Sequence, residues 1–307
     1  MEHIYDMIVI GGGPGGYTAA LYGARAGLDV LVLEKLSAGG QMALTTQIDN
    51  YPGFDEGVDG FTLGEKMQAG AERFGAKTEL VEVNSVQLEG EIKTLDTSEG
   101  VFRAKTVVIA TGASPRELGV EGEKSLVGRG VNYCAACDGM AYRGKKVAVI
   151  GGGNSAAADA TLLSRICKEV VIVHRRDTLR ATKVYHDPLM KAENVSFRWN
   201  SVVSELVHEA KLTGLKLKDV KTGEESLLEV DGVFVSVGRK PATELVKGQL
   251  ELDQGGYIIA DESTRTNLPG VFAVGDVRAK VLRQVVTAVA DGAMACFYAE
   301  EYIAEHS

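Results

Sequence analysis

Short apolar runs recur along the chain at Met7–Ile10, Val30–Leu33, Thr106–Ala110, Val147–Ile150, Val170–Val173, Gly232–Val237 and Val271–Val274. They are rich in Val and Ile and show no polar alternation, the pattern of parallel strands covered on both faces. Two segments echo each other. Residues 6–34 read DMIVIGGGPGGYTAALYGARAGLDVLVLE and residues 146–174 read KVAVIGGGNSAAADATLLSRICKEVVIVH. Each has an apolar run, a glycine turn, a stretch rich in Ala and Leu that suits a crossover helix, and a second apolar run. Both are β-α-β units. Two such units far apart in the chain predict two nucleotide-binding domains, not a solenoid. The later runs end in glycine turns at Thr111-Gly112-Ala113, Gly238-Arg239-Lys240-Pro241 and Gly275-Asp276, and ligands of open parallel sheets sit beyond such strand ends. The polar stretch Glu205–Glu229 predicts an antiparallel meander with turns at Gly214 and Gly223, a scaffold element.

Composition narrows this picture. A chain of 307 residues, 45% apolar, has material for two domains. The net charge of -9 disfavours nucleic acid and anionic membrane surfaces as partners. No apolar run approaches the ~20 residues of a membrane span. The opening Met1-Glu2-His3-Ile4-Tyr5-Asp6 lacks the basic region of a secretory signal, so a cytoplasmic location is the expectation. The four cysteines, Cys134, Cys137, Cys167 and Cys296, are no disulfide framework. Cys167 and Cys296 fall in alanine-rich helical stretches and read as buried packing residues.

The turn Gly11-Gly12-Gly13-Pro14-Gly15-Gly16 satisfies G-x-G-x-x-G with Gly11, Gly13 and Gly16. Gly11 permits the tight turn, Gly13 lets a pyrophosphate approach the backbone, and Gly16 lets helix and strand pack closely, with the helix N-terminus aimed at the anion. Glu34 closes the second strand, where a carboxylate accepts from ribose hydroxyls. In the second unit, Gly151, Gly153 and Ala156 satisfy G-x-G-x-x-A, with Asn154 and Ser155 opening the helix. Its second strand ends in His174-Arg175-Arg176, with Arg180 following, and no acid stands where Glu34 stands. Arginines there form charge-assisted bonds to a 2′-phosphate, so this site is expected to prefer NADPH to NADH.

Cys134-Ala135-Ala136-Cys137 precedes the second β-α-β unit. A C-x-x-C pair binds zinc, forms a redox disulfide or does neither. Structural zinc takes four ligands, and no second pair exists to supply them, so no metal is expected. A redox role is favoured by the adjacent nucleotide site. Asp138 either shuttles a proton or serves as a turn residue before Gly139.

With these motifs in place, the chain resembles the flavoprotein disulfide-reductase superfamily, and within it the low-molecular-weight thioredoxin reductases. The resemblance rests on Cys134-Ala135-Ala136-Cys137-Asp138-Gly139, Gly39-Gly40-Gln41, Asn50-Tyr51-Pro52-Gly53, the Thr111-Gly112 turn, His174-Arg175-Arg176-Asp177-Thr178-Leu179-Arg180-Ala181, Gly275-Asp276 and Arg283-Gln284. It implies an α/β fold of two Rossmann-like dinucleotide-binding domains, with the NADPH domain (118–244) inserted in an FAD domain (1–117 and 245–307). The implied FAD set is Gly11, Gly13, Pro14, Gly16, Glu34, Lys35, Gly40, Gln41, Asn50, Val83, Thr111, Gly112, Gly275, Asp276, Arg283, Gln284 and Val285. The NADPH set is Gly151, Gly153, Asn154, Ser155, Ala156, His174, Arg175, Arg176, Arg180 and Gly238.

The resemblance further implies that electrons pass from NADPH through FAD to the Cys134–Cys137 disulfide and then to thioredoxin. Cys137 would face the flavin, Cys134 would exchange with thioredoxin, and Asp138 would be the general acid. It also implies a homodimer. Because the cysteine pair and the nicotinamide belong to one insert and need one flavin face, the insert is expected to swivel about its two chain crossings. Ala136 departs from the family, where Thr or Val is commoner. The rival readings are a ferredoxin-fed reductase, an oxygen-coupled dithiol oxidase and a non-catalytic NADPH or redox sensor. The first two have little use for the arginines of His174–Arg180, and the third leaves two complete nucleotide motifs without a task.

Overall fold

The computed structural model describes residues 3–45 and 47–306. Met1 and Glu2, which open the acidic N-terminus, lie outside the described residues. In chain order the elements begin with β1 (Tyr5–Ile10), α1 (Pro14–Arg25), β2 (Val30–Glu34), α2 (Gly60–Glu72), β3 (Lys77–Leu80), β4 (Val83–Gln87), β5 (Lys93–Thr97), β6 (Gly100–Ile109) and β7 (Ala113–Pro115). They continue with β8 (Val131–Asn132), α3 (Ala135–Asp138), β9 (Lys146–Ile150), α4 (Asn154–Ser164), β10 (Glu169–Val173), α5 (His186–Lys191) and β11 (Val195–Arg198). The remainder is β12 (Ser201–His208), β13 (Leu212–Asp219), β14 (Glu225–Glu229), β15 (Gly232–Val235), β16 (Arg239–Pro241), β17 (Val271–Ala273) and α6 (Val285–Glu305). The chain divides into two compact units, one of residues 1–114 and 240–307, the other of residues 115–239. The short strands β7 and β16 that carry the chain across pair with each other.

In the first unit the sheet order is β3-β2-β1-β6-β5-β4, with β17 also on β6. β1, β2, β3, β6 and β17 run parallel, β5 runs antiparallel to β6, and β4 runs antiparallel to β5. The continuous apolar run of β1 feeds two cores. Met7 and Val9 pack with α1 and α6, while Ile8 and Ile10 pack with Leu95, Val246 and Ile258 on the other face. That double burial is why the run shows no polar alternation. Chain order reverses between β1 and β6, so the switch point of this sheet lies at the carboxyl ends of those two strands.

The second unit repeats the plan with an all-parallel sheet, β11-β10-β9-β15-β8. Val147 and Val149 face the cluster built on α3, α4 and α5, and Ala148 and Ile150 face the meander. The meander is β12-β13-β14 and antiparallel. One expectation is corrected: Gly214 is not a turn residue. It lies inside β13, paired with Glu229, and a Cβ there would stand 3.1 Å from the Leu228 carbonyl oxygen. The first turn falls instead where the Glu209 amide donates to the Lys211 carbonyl, and Gly223 does sit in the second turn, at φ +77°. A strand glycine marks close backbone approach as readily as it marks a turn.

Candidate functional site

The two glycine turns are built alike. After β1, Gly11 has φ +106°, and a Cβ on it would stand 2.5 Å from the Ala110 carbonyl oxygen at the end of β6. After β9, Gly151 has φ +144°, and its Cβ would stand 2.4 Å from the Ser236 carbonyl oxygen beyond β15. In each unit the missing side chain lets the neighbouring strand end close against the turn. A Cβ on Gly16 would stand 2.0 Å from the Gly11 oxygen, so α1 tolerates no side chain there. The equivalent Ala156 in α4 is 1% exposed and fits.

The middle glycines, Gly12 and Gly152, were not among the candidates, although each was visible as the centre of a triple glycine. A Cβ on Gly12 would meet the Tyr17 ring at 2.9 Å and the Glu34 carboxylate at 3.1 Å. A Cβ on Gly152 would meet the His174 ring at 2.4 Å. Glu34 closes β2 and His174 directly follows β10, so nearly the same position supplies the filler beneath each turn. Glu34 Oε2 accepts the Gly12 N–H at 2.6 Å, and Oε1 accepts the Leu36 N–H at 3.0 Å. Each oxygen keeps a lone pair for a sugar hydroxyl. The His174 ring is 4% exposed, its Nε2 has no hydrogen-bond partner, and burial followed by the charges of Arg180, Arg176 and Arg175 lowers its pKa. The neutral ring thus supports the turn, while those three arginines stand exposed.

Gly13 and Gly153 behave differently. Both are extended, at φ -78° and -90°, and a Cβ on either would meet nothing within 4 Å. They precede α1 and α4, whose first turns carry no side-chain cap. Open space in front of uncapped amides is the cradle that a pyrophosphate fills, with the helix dipole favouring its charge. The residues present therefore fit a dinucleotide at both turns.

Among the more distant candidates, the Gly40-Gln41 segment and Thr111 reach the first turn, and the others have partners elsewhere in the unit. The Gly39 amide donates to the Gly12 carbonyl, and a Cβ on Gly40 would lie 3.6 Å from Gly13 Cα, which brings the Gly40-Gln41 segment to the turn. Gln41 is exposed. Asn50 Nδ2 donates to Gln284 Oε1 at 3.0 Å, joining residues far apart in the chain. Val285 packs against the Met42–Ile48–Leu63 cluster, and the Arg283 guanidinium lies 4.1 Å from the Tyr257 ring centroid. Thr111 Oγ1 donates to the Ala242 carbonyl, and the Ala242 amide donates to Gly112. Pro14 opens α1 and presets its first turn. Lys35 is exposed and paired with Glu82 at 2.5 Å. Val83 belongs to the sheet's buried core. Gly275, at φ +72°, and Asp276 leave β17 as a short turn.

Around the second turn, the Arg180 and Ala181 amides donate to the Gly152 carbonyl, and Asn154 Oδ1 accepts the Thr182 amide at 2.8 Å. These bonds hold the arginine-bearing loop against the turn. Ser155 is exposed in the first turn of α4. Gly238, at φ +110°, accepts the Arg116 amide.

Cys134 and Cys137 form a disulfide in the second unit, with Cα atoms 5.3 Å apart. Cys134 caps α3, and its Sγ accepts the Cys137 amide at 3.2 Å. Ala135 and Tyr142 anchor this segment in the core that also holds Ala156 and Ala160 of α4. Asp138 is part-buried, and burial pushes its carboxyl up to about 6. Cys167 and Cys296 are buried thiols whose pKa values burial raises. Among the described residues, no cluster of three His, Cys, Asp or Glu side chains is arranged to hold a metal.

A family model described as pyridine nucleotide-disulphide oxidoreductase matches residues 5–292. The chain belongs to that family. It is 50% identical to a thioredoxin reductase of Streptomyces clavuligerus, over 99% of this chain and 95% of the relative. It is 48% identical to one from Listeria monocytogenes, with the same coverage. The crystal structure of a Streptococcus pyogenes thioredoxin reductase matches with a TM-score of 0.92 at 42% identity, covering 99% of this chain and 100% of that one. Members of this pyridine nucleotide-disulphide oxidoreductase family with such relatives use FAD and NADPH, for which the two turns are suited.

Proposed function

We propose that the protein is an NADPH-dependent thioredoxin reductase, in which the first unit holds FAD and the second holds NADPH and carries the Cys134–Cys137 redox centre. The observation that carries this reading is the disulfide itself, set on α3 beside an ionisable acid in the same unit as an arginine-flanked glycine turn. Arg175, Arg176 and Arg180 suit a 2′-phosphate. When bound, FAD supplies the redox chemistry that carries an electron pair from NADPH to the disulfide.

The chain's own groups account for the protons and the exchange. Opening the S–S bond with two electrons leaves two sulfurs that need protons. Asp138, raised to about 6, is a donor matched to this task. The Cys137 amide directed at Cys134 Sγ favours negative charge on that sulfur. Cys134 thiolate attacks the thioredoxin disulfide and forms a mixed disulfide. Cys137 thiolate then attacks Cys134 Sγ, which restores the Cys134–Cys137 bond and releases thioredoxin as a dithiol.

The partner is thus thioredoxin. A cytoplasmic location fits a chain in which no helix among the described residues is long and apolar enough to cross a membrane. The net charge of -9 disfavours nucleic acid. A homodimer is supported by one face of α6, where Val286, Met294 and Phe297 are exposed, as is Tyr22 of α1.

The test is an anaerobic titration with NADPH and, in parallel, NADH, followed by oxidised thioredoxin. NADPH is expected to bleach the flavin, NADH to do so poorly, and thioredoxin to restore the colour repeatedly. A flavin left oxidised by NADPH would favour a ferredoxin-fed or oxygen-coupled dithiol enzyme instead.

A further inference from the structure

Asp291 stands on α6 at 5% exposure in an otherwise apolar stretch, Val285–Cys296, that carries no other charge. Its carboxylate accepts four hydrogen bonds. Oδ2 takes the Gly275 N–H at 2.8 Å, Arg278 Nε at 2.9 Å and Lys280 Nζ at 2.7 Å, and Oδ1 takes Arg278 Nη2 at 2.7 Å. Every donor lies in Gly275–Lys280, the segment that leaves β17 and carries the Gly275-Asp276 turn. Arg278 also donates to the Ala260 carbonyl at 3.2 Å, and Lys280 to the Thr287 carbonyl at 3.1 Å. The Arg278 side chain is 3% exposed and the Lys280 side chain 7%.

The next residue, Gly292, faces α1. A Cβ there would stand 2.2 Å from the Gly15 carbonyl oxygen, inside the first turn of α1. One turn of α6 therefore grips two walls of the first nucleotide site, the α1 N-terminus through Gly292 and the Gly275-Asp276 turn through Asp291. A buried ion cluster is a costly way to hold a core, because apolar residues of similar volume are often as stable or more so. What the cluster adds is direction: four bonds aimed at one short segment fix its position as packing alone does not.

We infer that Asp291, with Arg278 and Lys280, is a positioning device that sets the Gly275-Asp276 turn against the N-terminus of α1 for FAD. This rests on the reading of the first unit as the FAD site.

The experiment measures FAD affinity by fluorescence quenching on refolded apoprotein, with NADPH affinity and the apoprotein melting midpoint beside it. Asp291→Asn is expected to raise the FAD Kd at least tenfold and leave the NADPH Kd within twofold. The triple variant Arg278→Met/Lys280→Met/Asp291→Leu leaves no buried charge. It is expected to melt at or above the unsubstituted apoprotein while its FAD Kd stays at least tenfold raised. A purely structural role predicts that restored stability restores affinity, so a stable triple variant with unchanged FAD affinity overturns the inference. So does Asp291→Asn with unchanged FAD affinity. If Asp291→Asn does not fold, the triple variant carries the test. An unsubstituted protein that binds no FAD instead overturns the assignment of the first unit.

Discussion

Adding one methyl group at Gly13 is expected to weaken FAD while leaving the stability of the apoprotein within about 1 kcal/mol. Gly13 has an ordinary extended backbone, φ -78° and ψ -179°, and no atom lies within 4 Å of the added carbon. Gly13→Ala therefore meets no steric clash, and the gain of about 0.4–1 kcal/mol from restricting the unfolded chain is offset by a cost of similar size, because Gly13 is the N-cap of α1 and Ala is a poorer N-cap than Gly. For a unit of this size the apoprotein melting midpoint is expected to move by no more than about 4 °C in either direction. The same methyl occupies the space in front of the α1 amides. Displacing a phosphate oxygen from one charged hydrogen bond of about 1.5–3 kcal/mol raises the FAD Kd about 10- to 150-fold. The comparison variant is Gly16→Ala, whose Cβ would stand 2.0 Å from the Gly11 oxygen and which is expected to lower the midpoint. Thermal melts of apoprotein and FAD titrations give both numbers. Unchanged FAD affinity in Gly13→Ala, or an apoprotein midpoint lowered as far as that of Gly16→Ala, would refute the placement of the cradle.

Three further outcomes follow from the geometry. Because burial raises Asp138 to about 6, the protonated acid is depleted above that pH. The rate of disulfide opening in rapid-mixing experiments is expected to fall as pH rises through this value, and Asp138→Asn to be slow and to lack that limb. Replacing Arg175 and Arg176 by Ala is expected to raise the KM for NADPH at least tenfold with little change for NADH, since each charged bond to phosphate contributes about 1.5–3 kcal/mol. Steady-state kinetics with both nucleotides would show equal losses if the arginines were merely solvated. Lys93 is 0% exposed, near the Tyr302 hydroxyl at 3.2 Å, and burial lowers its pKa to about 8. The unfolded chain then holds the proton that the folded chain has lost between about 8 and the ordinary value of 10.5. Lys93 thus makes stability rise with pH across that window. Urea unfolding of Lys93→Met is expected to lack this contribution, and parallel pH profiles for the two proteins would refute it.

The two β-α-β units and the cysteine pair were legible because their signals are local. Gly11 and Gly13 stand beside the strand that delivers them, and Cys134 and Cys137 meet across one turn of chain. The arginines after β10 were legible for the same reason. The meander was readable as a polar stretch, but Gly214 was not, because a turn and a close strand approach both select glycine. Asp291 left a signal that went unused: a lone acid inside an apolar helix needs a partner. Nothing in the sequence named that partner.

By itself, then, the sequence determined the chemistry available at each turn: amides at a helix start, arginines after one strand and a carboxylate after the other, and two sulfurs within reach. Only the tertiary structure decided what surrounds them. Ala110 and Ser236 press their carbonyls against the first glycines, and Glu34 and His174 fill the space under the middle ones. Asn50 meets Gln284, and Asp291 collects Gly275, Arg278 and Lys280. The physical reason is range. Spacing within one element is set by its own geometry, whereas a side chain's partner across a sheet or a helix pair is chosen by how whole elements pack, and no local pattern encodes that choice.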